Sequence, residues 1–411
     1  MKSLGVVVEY NPFHNGHLYH LQASKKHTNA DVTVAVMSGS FLQRGEPAIA
    51  NKWSRTKMAL KAGVDLIVEL PYLYSAHKAE VFSDAAVALL HTLGIDELCF
   101  GSEEGNITRF INTVEHIHQH RDHIDSVIQT FIKEGNSYPA AFAKAFQQVC
   151  KADDTIDLSK PNNILGYHYV LSIKKLSSSI TPATIKREKA GYHDIVPTDH
   201  KITSATAIRN QLLVENKDVK EVAPFLPVAT TEELLNLIKN GEHFASWETL
   251  FPLLQYKLLT EDIHSLNRIY ECTEGIEYRL KKMITKADSF YQFVDLVKTK
   301  RYTWTRIQRL LVHLIMNTSK QFMDEHSNPL QPTYIRILGM SSKGQHYLSA
   351  KKKSLNIPLI TTASQGKHLP VLQKEIQAAQ LRNLPIIGSD AFMNEYNQRP
   401  IRYNEEKGTF H

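Results

Sequence analysis

The feature that most narrows what this chain can fold into is a strand that breaks and restarts as a helix within its first 26 residues. The apolar run Val6-Val7-Val8 reads as a buried strand, Asn11-Pro12 interrupts it, and residues 18–26 are helix-compatible. A turn from strand to helix N-terminus presents backbone N–H groups and a positive dipole end to an anion, most often a phosphate. His14 and His17 lie on that turn, with Gly16 before the second. Two imidazoles there add hydrogen bonds to charge that develops on a phosphate under attack. A glycine, lacking a side chain, leaves room for close approach of a nucleotide. The ordinary alternative is a turn that carries two surface histidines.

The same alternation continues. Strands are expected at residues 5–9, 32–37, 66–70, 97–101 and 180–186, and helices at 18–26, 53–62, 79–93 and 106–134. Strands alternating with helices predict an α/β fold, a Rossmann-like doubly wound parallel sheet, with the ligand beyond the carboxyl ends of the strands. Helical patterning dominates residues 231–325, Pro224 and Pro227 mark a linker before it, and strand-like runs return at 334–338 and 357–361. The expected organisation is a nucleotide-binding region at 1–215, a helical region at 216–330 and a small mixed α/β region at 331–411. A length of 411 residues suits two or three cores.

The mild basic excess, +6 with histidines neutral, permits an RNA partner without requiring one. Three scattered cysteines, Cys99, Cys150 and Cys272, form no CxxC pair, which argues against a zinc ribbon and suits a reducing cytoplasm. No apolar stretch is long enough for a membrane span or a signal peptide. Nothing in the sequence sets the oligomeric state.

Further polar groups lie at the predicted strand ends and helix starts. The loop Ser38-Gly39-Ser40-Phe41-Leu42-Gln43-Arg44-Gly45-Glu46-Pro47 reads as a lid or carboxylate-binding loop with Arg44 as anion clamp, or as a solvated loop. Lys52, Arg55 and Lys57 continue positive charge into a helix start. Gly101 ends a strand, where adenine or ribose can lie against the backbone, or is a turn glycine. Asn162 and Asn163 open a helix as caps or as ribose contacts. Arg187 closes a strand and suits a phosphate. Ile202-Thr203-Ser204-Ala205-Thr206-Ala207-Ile208-Arg209 places hydroxyls at a helix start before an arginine, the pattern of a phosphate site and also of a plain cap. Farther on, Lys298, Lys300, Arg301, Arg306 and Arg309 surround Tyr302 and Trp304, a mixture that suits phosphate contact and base stacking. Lys351-Lys352-Lys353 adds a second basic cluster. Solvated faces, with Trp304 packed in a helical core, are the alternative for both clusters.

His14-Asn15-Gly16-His17 resembles the HxGH signature of the nucleotidylyl transferase superfamily, and Ser204 to Arg209 is similar to the element that closes the ATP site in those proteins. Longer blocks are more specific: residues 9–17, 37–47, 68–71 (Val-Glu-Leu-Pro), 161–166 (Pro-Asn-Asn-Ile-Leu-Gly) and 300–309. Through them the chain resembles, over nearly its whole length, the bacterial tRNA(Met) cytidine acetate ligase family.

That resemblance implies an ATP-dependent ligase. ATP and acetate form acetyl-adenylate, and N4 of the wobble cytidine of elongator tRNA(Met) takes the acetyl group. It further implies an ATP site at Val7, Val8, Glu9, Tyr10, Asn11, Pro12, Phe13, His14, Asn15, Gly16, His17, Leu18, Tyr19 and His20, with Gly101, Asn162 and Arg187. His14 and His17 are the expected α-phosphate stabilisers, and Ser204 and Arg209 are candidates for the pyrophosphate end. Mg²⁺ is expected to arrive on the phosphates, without named protein ligands. Lys300, Arg301, Trp304, Arg306 and Arg309 are the expected tRNA contacts. An acetate pocket near residues 38–43 or the first strand is a further expectation. The rival readings are a small-molecule nucleotidyltransferase and a non-catalytic RNA-binding protein.

Overall fold

The computed structural model describes residues 1–150, 153–187, 202–388 and 395–411. The strands are β1 (Ser3–Val8), β2 (Val32–Ser38), β3 (Leu66–Leu70), β4 (Glu97–Ser102), β5 (Thr181–Lys186), β6 (Ile335–Ser341), β7 (Leu359–Ile360), β8 (Ile401–Asn404) and β9 (Thr409–Phe410). They form one sheet in the order β5-β4-β1-β2-β3-β6-β8-β9, with β7 on β6. The first five strands are mutually parallel, as expected. Strand β6 joins β3 antiparallel, pairing Leu66 with Met340, so the strands of 331–411 extend the same sheet. Chain order reverses at β1, which lies between β4 and β2. Its carboxyl end is therefore the switch-point crevice where such sheets take ligands.

Both faces of the sheet are covered, so its central strands are apolar on both sides. Val34, Val36, Val68 and Phe100 face the helices Ala79–Thr92 and Pro161–Lys175. Val6, Ala35, Met37 and Ile67 face the helices Asn15–Thr28 and Lys52–Lys61. The expected helix at 106–134 is two helices, Ile107–Gln119 and Arg121–Lys133, which meet at His120 (φ −110°). The second turns back to pack on the helix Tyr138–Val149. No glycine or proline marks that break in the sequence. At the expected linker, Pro224 lies in a short 3₁₀ turn and Pro227 caps the helix Val228–Lys239. The helices Trp247–Thr260, Ile276–Ile284, Phe290–Val297 and Trp304–Ile315 follow.

The positive charge expected at the start of the second helix is not on the surface, apart from Lys57. Lys52 is buried with three carboxylates, Glu69 at 2.5 Å, Glu395 at 2.9 Å and Glu375 at 3.3 Å. Arg336 shares Glu69 (3.3 Å) and Glu395 (2.9 Å). Burial, together with the neighbouring Glu69 charge, raises Glu375 to about 8, so near neutrality it holds a proton and the cluster approaches charge balance. Arg55 is also fully buried. It donates to the carbonyls of Glu9 (2.7 Å), Ser38 (3.0 Å), Ala50 (3.1 Å) and Gly39, which ties together the carboxyl ends of β1 and β2.

Removing one member of a buried ion pair strands its partners, at a cost of about 3–5 kcal/mol. Lys52→Met is expected to lose about that much in urea unfolding. Lys57→Met removes the half-exposed pair with Glu233 (3.2 Å) and should cost no more than about 1 kcal/mol.

Candidate active site

The residues after β1 build the site. Tyr10 takes a left-handed backbone (φ 48°), Asn11–Pro12 is cis, and Tyr10 and Phe13 bury their rings edge to face at 4.5 Å. The helix Asn15–Thr28 begins three residues before residue 18, so the two histidines form its first turn. His14 is the N-cap. Its Nδ1 accepts the Gly16 N–H at 3.0 Å, while His17 Nδ1 accepts the His14 N–H at 3.3 Å. The two rings stack with centroids 3.8 Å apart. Because each Nδ1 accepts a backbone proton, the neutral ring carries its own proton on Nε2.

The histidines are neutral by environment. Burial, then the guanidinium groups of Arg187 and Arg209, lowers His14 to about 3. Burial and the His14 and Arg187 charges hold His17 well below the usual imidazole value, and burial and Arg187 lower His20 to about 4. Burial and guanidinium charge thus keep both stacked rings neutral at the strand end.

Gly16 serves a purpose other than the one expected. A Cβ there would lie 2.8 Å from His14 Cε1, so the space it leaves is filled by the His14 ring. Gly101 faces Arg187 and His20, since a Cβ would meet Arg187 Cγ at 3.4 Å and His20 Cδ2 at 3.5 Å. The Arg187 N–H donates to the Ser102 carbonyl at 2.8 Å, extending the β4–β5 ladder to the crevice. Ser204 caps the helix Ala205–Leu213, accepting the Ala207 N–H at 3.1 Å. That second helix start adjoins the first, as the Ile202 side chain lies 3.7 Å from a Cβ on Gly16. Arg209 donates to the Asn11 carbonyl (2.9 Å) and pairs with Glu46 (2.7 Å).

The remaining expected residues divide. Val7 and Val8 are wall on opposite sheet faces, and Leu18 packs beneath the turn. Asn15 donates to the Pro224 carbonyl (3.0 Å), and Tyr19 is exposed. The Glu9 carboxylate accepts the Gln43 N–H (2.6 Å), and burial pushes it up. Asn162 and Asn163 do not cap. Lys160 is the N-cap of the helix Pro161–Lys175, and Glu103 accepts the N–H groups of both asparagines. The Asn162 side chain is held by the same carboxylate at 2.7 Å. Glu46 and Glu103 were visible as charged residues in polar loops, but only their partners reveal a role.

The basic segment at 298–309 also divides. Lys298, Lys300 and Arg301 are exposed. Arg306 lies over the buried Tyr302 ring at 4.1 Å, which covers the ring expected to stack on a base. Arg309 does not share the outward face of Arg306. Its side chain is 14% exposed and lies 3.8 Å from Glu271, since helix residues three apart are offset by about 60°. Trp304 is half-buried against Phe290 and Tyr291. In the second cluster, Lys351 bonds the Gly94 carbonyl, leaving Lys352 and Lys353 exposed.

Gly16→Ala must displace the His14 ring. It is expected to weaken ATP binding about tenfold or more by calorimetry while thermal unfolding shifts little, and unchanged affinity would refute this packing role. The low pKa of His14 has a second consequence. Below about pH 6.5 the unfolded chain binds a proton that the folded site refuses, so apo stability falls between about 6.5 and 3. NMR of the His14 ring should show no titration above about pH 5.

Residues 1–395 match the family described as HIGH Nucleotidyl Transferase. The tRNA(Met) cytidine acetate ligase of Bacillus licheniformis is 47% identical over 100% of this chain and 99% of its own. That of Halalkalibacterium halodurans is 50% identical over 99% and 98%. Among solved structures, apo Thermotoga maritima TmcAL superimposes with a TM-score of 0.90 at 32% identity, covering 98% of this chain and 100% of its own. The same enzyme bound with alpha-thio ATP gives 0.88 at 31% identity, with the same coverage. With its crevice built on the HNGH turn and its relatives aligned end to end, the chain belongs to the tRNA(Met) cytidine acetate ligase family of the HIGH nucleotidyl transferases.

Proposed function

We propose that this protein is an ATP-dependent ligase that acetylates N4 of the wobble cytidine of elongator tRNA(Met) in the cytoplasm. The observation that carries the reading is the stacked, neutral His14–His17 pair at the start of the helix Asn15–Thr28, next to the Ser204 helix start and near Arg187 and Arg209. Relatives named for this reaction, and a neighbour bound with alpha-thio ATP, support it.

In the first step an acetate oxygen attacks the α-phosphorus of ATP. The bond to the β-phosphate oxygen breaks and pyrophosphate leaves. His14 and His17 donate to the α-phosphate oxygens, whose charge grows in that step. Being neutral, they act as hydrogen-bond donors and leave the positive charge to the arginines. Residues 7–20 with Gly101, Asn162 and Arg187 surround the nucleotide. Ser204 with its helix N–H groups, and Arg209, take the pyrophosphate. In the second step the cytidine N4 attacks the acetyl carbon and AMP leaves. N4 loses a proton, and N4-acetylcytidine remains.

Mg²⁺ fits as a companion of the triphosphate, supplying positive charge to the leaving pyrophosphate. The nearby carboxylates Glu9 and Glu46 are committed to Gln43 and Arg209, so the phosphates would hold the ion. Lys300, Arg301, Trp304 and Arg306 contact the tRNA, while Arg309 acts through its inward packing. The division of labour follows the chain: catalysis in 1–215, tRNA contact in 216–330, and support from 331–411. Among the described residues no helix is long and apolar enough to cross a membrane.

The decisive assay is exchange of labelled pyrophosphate into ATP. Exchange should require acetate and fall by about 10²–10³ in His14→Ala and in His17→Ala, the usual cost of one lost oxyanion donor. Exchange that ignores acetate would overturn the ligase reading.

A further inference from the structure

Tyr291 is an exposed aromatic residue that the reading so far leaves without a role. It lies on the outer face of the helix Phe290–Val297, whose Phe290, Phe293, Val294 and Val297 are buried, and it is 56% exposed. Its ring lies 5.8 Å from the half-buried Trp304 ring at an interplanar angle of 30°. A singly exposed apolar residue is ordinary on a surface, but here the Tyr291 ring continues into the partly exposed Trp304 ring to form one aromatic patch.

A chain of contacts fixes this pair beside the crevice. The Trp247 indole donates to the Gly45 carbonyl at 2.8 Å, anchoring the helical region to the loop that carries Glu46. Glu46 in turn holds Arg209. The next residue after Trp247, Glu248, accepts the N–H groups of Phe290 (3.0 Å) and Tyr291 (3.3 Å), and Trp247 stacks on Phe290 at 4.8 Å. Burial, then the Glu46 and Glu248 carboxylates, pushes the Tyr291 phenol up, which agrees with a ring close to the Glu46–Arg209 pair.

We infer that the Tyr291–Trp304 pair is the stacking platform for the cytidine base that accepts the acetyl group. The inference rests on the ligase reading above. Chemistry on a base requires that it leave its stack, and an extruded base needs an aromatic or apolar face to lie on. Sequence reasoning offered Tyr302 and Trp304 for stacking, and Arg306 covers the first of these rings. The cations around the pair favour RNA as the occupant. Lys298, Lys300 and Arg301 are exposed just beyond the end of the Tyr291 helix. A phosphate backbone held there would position its base toward the crevice. The pair is thus a substrate-binding surface that presents N4 to the adenylate.

The test uses the full chain with elongator tRNA(Met), either intact or abasic at the target cytidine. Tyr291→Ala should raise the KM for intact tRNA about tenfold, within the usual range for one stacked base, and Tyr291→Phe should restore it. Acetate-dependent pyrophosphate exchange should be unchanged in both variants. Wild type and Tyr291→Ala should bind the abasic tRNA equally, because the two removals delete one contact. Trp53 and Trp247 are buried, so a fluorescence change on tRNA binding reports Trp304. Quenching is expected with intact tRNA and not with the abasic form. A KM within twofold of wild type, an equal Tyr291→Ala penalty on both tRNAs, or quenching independent of the base would each overturn the stacking role. Failure of the ligase reading would show separately, as wild-type exchange that does not need acetate.

Discussion

The Arg55 guanidinium is the constraint on which the site depends. It is fully buried and donates to four carbonyls, three of which belong to residues at or just beyond the ends of β1 and β2. Backbone carbonyls that leave a sheet must find donors or lose stability, and here one side chain supplies them. Its burial is costly and lowers its pKa to about 10, with the Glu9, Glu69 and Glu375 carboxylates opposing the shift. The adjacent cluster of Lys52, Arg336, Glu69, Glu375 and Glu395 joins the first 70 residues to the last 80 by the same means. The carboxyl end of the sheet is therefore held by charges that have no water to exchange with.

On that base the HNGH turn has the build of the anion receptor proposed above. The stacked histidines cap their own helix, which fixes both tautomers and spends no further backbone donor on them. Burial, and then nearby guanidinium charge, keeps the rings neutral, so the cationic groups and the hydrogen-bond donors are different residues. The Arg209–Glu46 pair links this receptor to the 38–47 loop, and Trp247 links that loop to the helical region. Nucleotide chemistry and the aromatic surface around Trp304 are thereby mechanically continuous.

Much of the fold was legible because its signals are local. The five parallel strands announced themselves as short apolar runs, and the strand-turn-helix at the N-terminus placed the crevice. The HNGH turn and the Ser204–Arg209 segment carried their meaning in a handful of consecutive residues. The break at His120 was not legible, since no glycine or proline marks it. The asparagines at 162 and 163 looked like caps, and the residue that satisfies that helix start is Glu103, about 60 residues earlier in the chain.

Charge shows most clearly where sequence stops. Lys52, Arg55, Lys57, Arg306 and Arg309 are equivalent letters on helix starts and faces, yet three of them are buried or nearly so and two remain accessible. Whether a cation is a structural pin or a surface contact depends on whether a carboxylate or carbonyl meets it in the interior. Such partners come from far away in the chain, as Glu69 and Arg336 do across 267 residues. Sequence by itself determined the order of elements, the switch-point crevice and the strand-turn-helix at its edge, because strand period and turn chemistry are properties of neighbours. Only the tertiary structure decided the protonation of the histidines, the burial of the cations and the place of Tyr291. Desolvation and pairing are set by residues that the fold alone brings together.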